Sequence, residues 1–268
     1  MHTQLTFENL DDTQKEIIIA KLYDYCEGFE EFEGGLKAVI NTEKFTGDLK
    51  EILQTLQLKP IIEEILPQNW NLVWESNFEP VLVEGFVYVR ADFHKPETKA
   101  KHEIIITPKM SFGTGHHATT YLMMQMMREI DFAGKSVFDF GTGTGILSIL
   151  AKKLGATNII ATDIDSWSIE NAAENFQRNE IDGIELLQSE SALHGNNNDI
   201  ILANINKNIL MGTIPQLASL LKVNGILLLS GLLETDENDI VKLCTKSSLK
   251  LMQKSVKNGW IALKFNKL

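Results

Sequence analysis

Asp139-Phe140-Gly141-Thr142-Gly143-Thr144-Gly145 decides how this chain is read. The stretch closes an apolar strand at 136–140 and leads into a helical stretch at 146–154. Glycines at such a turn let the backbone bend tightly and let a ligand approach the main chain. The helix that follows offers free N–H groups at its start. Nucleoside-binding α/β folds of several kinds share a turn of this type. The nicotinamide fingerprint, G-x-G-x-x-G, needs a glycine where this chain has Ile146. The pattern present is instead acidic-x-G-x-G-x-G.

Asp163 lies eighteen residues past Gly145, at the end of the next strand, Ile159-Ile160-Ala161-Thr162. A carboxylate at that point can accept hydrogen bonds from ribose hydroxyls. The spacing fits both nucleotide classes, so it points to a nucleoside ligand and leaves its identity open. The alternative is that Asp163 or Asp165 merely caps the next helix, a task Ser166 already performs in this reading. Together with Asp163, the glycine pattern resembles the first motif of class I S-adenosylmethionine methyltransferases. In that family the turn lies under the amino-acid part of the cofactor.

Outward from this centre the chain alternates. Apolar strands at 136–140, 158–162, 184–188, 199–204 and 225–230 are separated by helical stretches at 146–154, 166–179, 207–221 and 236–246. That order predicts a mostly parallel sheet with helices on both faces. Near the end, Leu249 to Val256 and Trp260 to Phe265 flank Asn258-Gly259, a hairpin signal, so the last strand should run antiparallel. The expected fold is α/β, a class I methyltransferase (Rossmann-like) mostly parallel sheet with an antiparallel last strand.

Residues 1–60 read as a small α+β, ferredoxin-like domain. Leu5 to Phe7 reads as a strand, and Ile18, Leu22 and Tyr25 mark a helix from about Asp12. Phe29 to Ile40 reads as strand, turn and strand around Gly34-Gly35. Leu49, Ile52, Leu53 and Leu56 mark a second helix with Asp48 as its cap. The segment carries six Lys against twelve Asp plus Glu. Residues 61–100 form a connector, with Trp70, Trp74 and Phe78 at helical spacing, Pro80 as a break, and strands at 81–83 and 86–89. Residues 101–268 form the cofactor-binding catalytic domain.

The net charge is −11, which argues against direct nucleic-acid binding, because that requires clustered positive charge. It suits a basic protein as partner. Two distant cysteines, Cys26 and Cys244, make neither a disulfide framework nor a zinc set. The N-terminus lacks signal-peptide features, and no apolar run approaches the roughly 20 residues of a membrane helix. A cytoplasmic protein is expected.

Upstream of the glycine turn stands Phe112-Gly113-Thr114-Gly115-His116-His117-Ala118-Thr119-Thr120. The plain reading is a loop whose Thr119 or Thr120 caps the following helix, with Leu122, Met123, Met126, Met127 and Ile130 forming a core face. Adjacent histidines point apart and no third ligand is near, so no metal is expected. The stretch resembles the F-G-T-G-T-H-P-T-T signature of the methyltransferases that modify ribosomal protein L-eleven, the PrmA type. The likeness extends to Asn69-Trp70, Trp74-Glu75, Phe78, Pro80, Asp163-Ile164-Asp165, Ala203-Asn204-Ile205 and Ser230-Gly231-Leu232-Leu233. It covers residues 65–268 well, and the first 60 only in size and layout. His116 stands where Thr is usual and Ala118 replaces Pro, departures that predict a more mobile loop.

The resemblance implies cofactor contacts at Thr120, Gly141, Gly143, Asp163 and Asn204. The role of His117 stays open. Asn204 ends an apolar strand, where open α/β sheets face their ligand crevice. It resembles in position the Asn-Pro-Pro-Tyr turn of amine methyltransferases, without the prolines or tyrosine. Its competing reading is a cap for the next helix. The resemblance implies a monomeric enzyme that transfers methyl groups from S-adenosylmethionine, leaving S-adenosylhomocysteine. The acceptors would be lysine amines, and the α-amine, of ribosomal protein L-eleven, with Asn204 as the catalytic residue. Two alternatives stay open: a methyltransferase for another protein or a small molecule, and a cofactor-binding protein without catalysis.

Overall fold

The computed structural model describes residues 2–22, 25–32, 34–41, 47–55, 58–65, 78–96, 99–107, 112–194 and 197–268. The chain divides into two compact units, Met1–Glu75 and Ser76–Leu268.

The first unit runs β1 (His2–Glu8), α1 (Asp12–Leu22), β2 (Cys26–Phe32), β3 (Gly35–Asn41), α2 (Gly47–Thr55) and β4 (Ile61–Ile65). The strands form one antiparallel sheet in the order β2-β3-β1-β4, the ferredoxin-like arrangement. Alternation decides which face is covered. Thr3, Leu5 and Phe7 of β1 are buried, as are Leu36, Ala38 and Ile40 of β3, while Ile18, Leu22, Leu49 and Leu53 close over them. Asp11 and Gln14 start α1 with a reciprocal capping box, each side chain accepting the other's backbone N–H at 2.8 and 2.9 Å. α2 begins at Gly47, one residue before the Asp48 read as its cap. β4 falls in the range read as connector, yet it pairs with β1. Asn69, Trp70, Trp74 and Glu75, which carried part of the connector's resemblance, lie outside the described residues.

The second unit opens with β5 (Val81–Val83), β6 (Val87–Arg90) and β7 (His102–Ile105). β5 and β6 form a hairpin across Glu84-Gly85, and β7 runs parallel to β6. α3 (Ala118–Met127) follows. Then come β8 (Ser136–Phe140), α4 (Ile146–Lys153), β9 (Asn158–Asp163), α5 (Ser166–Arg178), β10 (Ile184–Gln188), β11 (Asn198–Asn204) and α6 (Lys207–Leu220). The chain ends with β12 (Leu221–Leu233), α7 (Glu237–Lys246), β13 (Leu249–Lys257) and β14 (Trp260–Lys267).

The seven main strands order as β10-β9-β8-β11-β12-β14-β13. The first five are parallel, and β14 is antiparallel to both of its neighbours, as the Asn258-Gly259 turn predicts. Side chains alternate across the sheet. Val137, Ile159, Ile200 and Leu228 join Leu122, Met123, Met126 and Ile149 in one core. Phe138, Ile201, Leu227 and Leu229 join Leu210, Ile214, Leu217 and Ile240 in the other. Strand order reverses between β8 and β11, which opens a crevice beyond their carboxyl ends.

Candidate active site

Among the chain segments that converge on that crevice are the glycine turn after β8, the end of β9, the end of β11 and the loop at 112–117. They line a cavity of about 640 Å³, the size of a small-molecule site. Its walls include Phe112, His117, Gly141, Gly143, Asp163, Asn204, Gly231 and Trp260.

The glycine turn is held from two sides. The backbone N–H groups of Gly141 and Thr142 both donate to the Thr162 carbonyl, at 2.9 and 2.8 Å. Thr144 N–H donates to the Phe112 carbonyl at 3.0 Å, and its hydroxyl donates to the Gly113 carbonyl at 2.6 Å. The turn and the upstream loop therefore fix each other. Gly143 has φ +56° and lies so close to the Phe112 carbonyl that a β-carbon would collide with it. Gly231, with φ +84°, packs against the Ile205 backbone under the same constraint.

Asp139, the acidic start of the motif, is wholly buried below the turn. One of its oxygens accepts from the Thr142 and Ser148 hydroxyls, each at 2.7 Å. Burial pushes its carboxyl up from 3.8 to about 6, against the opposing pull of the Ser148 and Thr142 hydrogen bonds. A raised folded-state value means that the folded form binds the proton more tightly. The resulting stability is fully present below about pH 4 and is lost as pH rises through about 6. Urea denaturation at several pH values should show Asp139→Asn flattening this fall by on the order of 2–3 kcal/mol between those limits. An unchanged slope would mean that Asp139 is not the titrating group.

Asp163 points its carboxylate at the turn. Its two oxygens accept from Gly143 N–H at 2.8 Å and Asp165 N–H at 3.1 Å. Each oxygen retains a lone pair for a further donor. Asp165 accepts from Trp167 N–H at 3.2 Å and is the cap of α5, so the cap is one residue earlier than the Ser166 read from sequence.

Asn204 ends β11 and is buried at the cavity wall. Its amide Nδ2 donates to the Thr120 hydroxyl at 3.2 Å. Its Oδ1 is buried and meets no partner among the described residues. The capping task falls to Asn206, whose side chain accepts from Ile209 N–H at 3.1 Å. Asn204 is thereby left free, with an acceptor that folding does not satisfy. Such an atom costs stability unless a ligand uses it.

A family model described as ribosomal protein L11 methyltransferase (PrmA) matches residues 5–268. The ribosomal protein L11 methyltransferase of Porphyromonas gingivalis is 43% identical over 206 residues, covering 75% of this chain and 71% of that protein. Its counterpart in Bacteroides thetaiotaomicron is 36% identical, covering 95% and 94%. The chain belongs to the ribosomal protein L11 methyltransferase family. The crystal structure of ribosomal protein L11 methylase from Lactobacillus delbrueckii subsp. bulgaricus has a TM-score of 0.66 at 31% identity, over 71% of this chain and 100% of that one. A methyltransferase from Pyrococcus furiosus, at 18% identity and a TM-score of 0.53 over 61% of this chain and 89% of that one, shares the fold. S-adenosylmethionine is the cofactor of this chain's reaction. The cavity volume, the open lone pairs of Asp163 and the unused Asn204 Oδ1 all fit it.

Within this cavity, the predicted site residues divide. Gly141, Gly143, Asp163 and Asn204 line the cavity. Thr120 is fully buried and is not among the lining residues; its hydroxyl meets the Asn204 amide, and Thr119 takes the lining place. Thr120→Val keeps the volume and removes the acceptor that orients Asn204. Steady-state and calorimetric assays should show kcat about tenfold lower, with S-adenosylhomocysteine affinity within about threefold. A loss confined to cofactor affinity would instead place Thr120 on the cofactor.

The upstream loop differs from expectation in two ways. His117, not Thr119 or Thr120, caps α3, with Nδ1 accepting from Thr119 N–H at 3.3 Å. The loop is also more tied than the two departures imply: His116 Nε2 lies 2.7 Å from the Glu79 carbonyl. Trp260, Phe112, Gly231 and Glu190 line the cavity without having been read as site residues. Trp260 had a usable signal. A first residue of an antiparallel last strand sits at the carboxyl edge of the parallel ones, and Trp260 pairs with Leu233 there.

Proposed function

We infer that this chain methylates lysine side-chain amines of ribosomal protein L11, with S-adenosylmethionine as the donor. The observation that carries the reading is Asn204 Oδ1, a buried acceptor without a partner among the described residues, at the carboxyl end of β11 beside the glycine turn. An amine placed there can donate a hydrogen to Oδ1 while its lone pair stays available. Gly141, Gly143 and Asp163 would hold the cofactor, with Asp163 accepting from the ribose. When bound, the cofactor supplies an electrophilic methyl group on a cationic sulfur.

The attacking nitrogen must be neutral. A free lysine amine has a pKa of about 10.4, and burial beside a positive charge lowers it. The α-amine, at about 7.7–8.0, meets the same requirement more easily. His117 is a poor candidate for a base. Burial holds its pKa down, and its Nδ1 is occupied by Thr119, 2.8 Å from the hydroxyl and 3.3 Å from the backbone N–H. Alignment of the amine, more than proton abstraction, supplies the acceleration. The amine sheds its proton to solvent as the nitrogen–methyl bond replaces the sulfur–methyl bond.

The first unit, with its acidic sequence, holds the basic substrate in this reading, and the second performs the transfer. The enzyme acts as a cytoplasmic monomer in this reading, and its net charge of −11 supports the absence of nucleic-acid contact. Replacing residues 1–75 with an unrelated small domain should abolish labelling of L11 by radioactive S-adenosylmethionine and leave cofactor affinity intact. Persisting L11 labelling would remove the first unit from substrate recognition.

A further inference from the structure

His116 stands where the family signature has threonine, and it is exposed and does not line the cavity. Its surroundings give it another place. Nε2 is 2.7 Å from the Glu79 carbonyl, so it must carry the proton and donate. Nδ1, then a lone pair, accepts from the Thr114 hydroxyl at 3.1 Å. The ring packs edge-on against Phe78, with centroids 4.7 Å apart, and Phe78 is itself buried. The neighbouring His117 turns the other way, toward the cavity, where its ring meets Phe112 at 5.2 Å and Trp260 at 4.6 Å. The loop is thus fastened at its inner end by Thr144 and at its outer end by His116. The inner fastening holds Phe112 and Gly113, and between it and His116 lie only Thr114 and Gly115, the latter a glycine at positive φ, as is Gly113. A chain segment of that composition does not hold one conformation unaided.

We propose that His116 is a positioning residue that fixes the 112–117 loop in its binding-ready shape and so sets the affinity and exit rate of the cofactor. The proposal rests on the reading that the cavity takes S-adenosylmethionine. Its physical basis is a population argument: apparent affinity falls by the fraction of molecules whose loop is already in place. Removing the outer fastening lowers that fraction. It leaves untouched the residues that would contact the reacting atoms, so turnover at saturating cofactor is spared.

The test compares two substitutions in the full chain. His116→Phe keeps a ring against Phe78 and loses both hydrogen bonds. His116→Gln keeps an amide donor for Glu79 and an acceptor for Thr114 and loses the ring. Calorimetry with S-adenosylhomocysteine and stopped-flow measurement of its release are the readouts. Expected for His116→Phe is an affinity about threefold to tenfold weaker, with release faster by a similar factor. Its kcat at saturating cofactor should stay within about twofold, and His116→Gln should lie within about twofold of the parent in every readout. A purely structural role would lower the melting temperature of His116→Phe and leave the affinity of the folded fraction unchanged, which overturns the proposal. Equal weakening in both variants also overturns it, because the hydrogen bonds would then not be the cause. If His116→Phe does not fold, Thr114→Val removes one of the two bonds and should weaken affinity about twofold to threefold; no change there counts against the proposal. Failure of the parent protein to bind S-adenosylhomocysteine would instead refute the cofactor reading itself.

Discussion

Asn204→Ala should lower kcat for methylation of L11 by about 100-fold or more while S-adenosylhomocysteine still binds within about fivefold of the parent. Two features make this the most damaging small change at the site. The Asn204 carbonyl is a buried acceptor without a partner among the described residues, and its amide is already oriented by Thr120. Truncation removes the group that aims the amine's lone pair and leaves the cavity lining otherwise intact. Misplacement of a nucleophile by about 1 Å costs on the order of 100-fold. The substitution adds no bulk, so folding should survive; the Thr120 hydroxyl loses its donor, a cost of about 1 kcal/mol. Turnover equal to that of the parent would take Asn204 out of the chemistry.

Asp163→Ala should act on the other half of the reaction, weakening cofactor binding about 100-fold, as calorimetry can measure directly. Each hydrogen bond to a charged acceptor is worth about 1.5–3 kcal/mol, and two ribose hydroxyls account for that loss with a margin. The substitution also frees the N–H groups of Gly143 and Asp165, which loosens the glycine turn. Asp163→Asn separates the two contributions. Its amide oxygen can keep one of those backbone bonds, so affinity should fall less than with alanine. Equal loss in both variants would assign the effect to charge rather than to geometry.

The elements that position these residues were legible because their signals are local. β8, β9, β10 and β11 are short apolar runs between helical stretches, and each falls within a residue or two of its reading. The glycine turn and Asp163 sit at strand ends, where the parallel fold itself puts the ligand. What escaped depended on competition between neighbouring polar residues or on distant pairing. Two caps moved by one to three residues, to His117 and Asp165, because side chains close together in sequence can each serve and packing selects among them. β4 was missed because Ile61-Ile62-Glu63-Glu64 lacks alternation: as an edge strand it is exposed along those four residues. Thr120 was read by resemblance as a cofactor contact; what resemblance did not show is that its hydroxyl accepts from the Asn204 amide, 84 residues away in sequence. Trp260 reaches the cavity only because β14 enters the sheet beside β12.

The central claim is that this chain transfers methyl groups from S-adenosylmethionine to one ribosomal protein. Its most direct test incubates the purified protein and radiolabelled S-adenosylmethionine with a ribosomal protein extract from cells lacking the gene. Label on a single band that mass spectrometry identifies as L11, with methylated lysines in its peptides, is the predicted result. Label absent from L11, with cofactor binding intact, would contradict the claim and leave a methyltransferase whose substrate lies elsewhere.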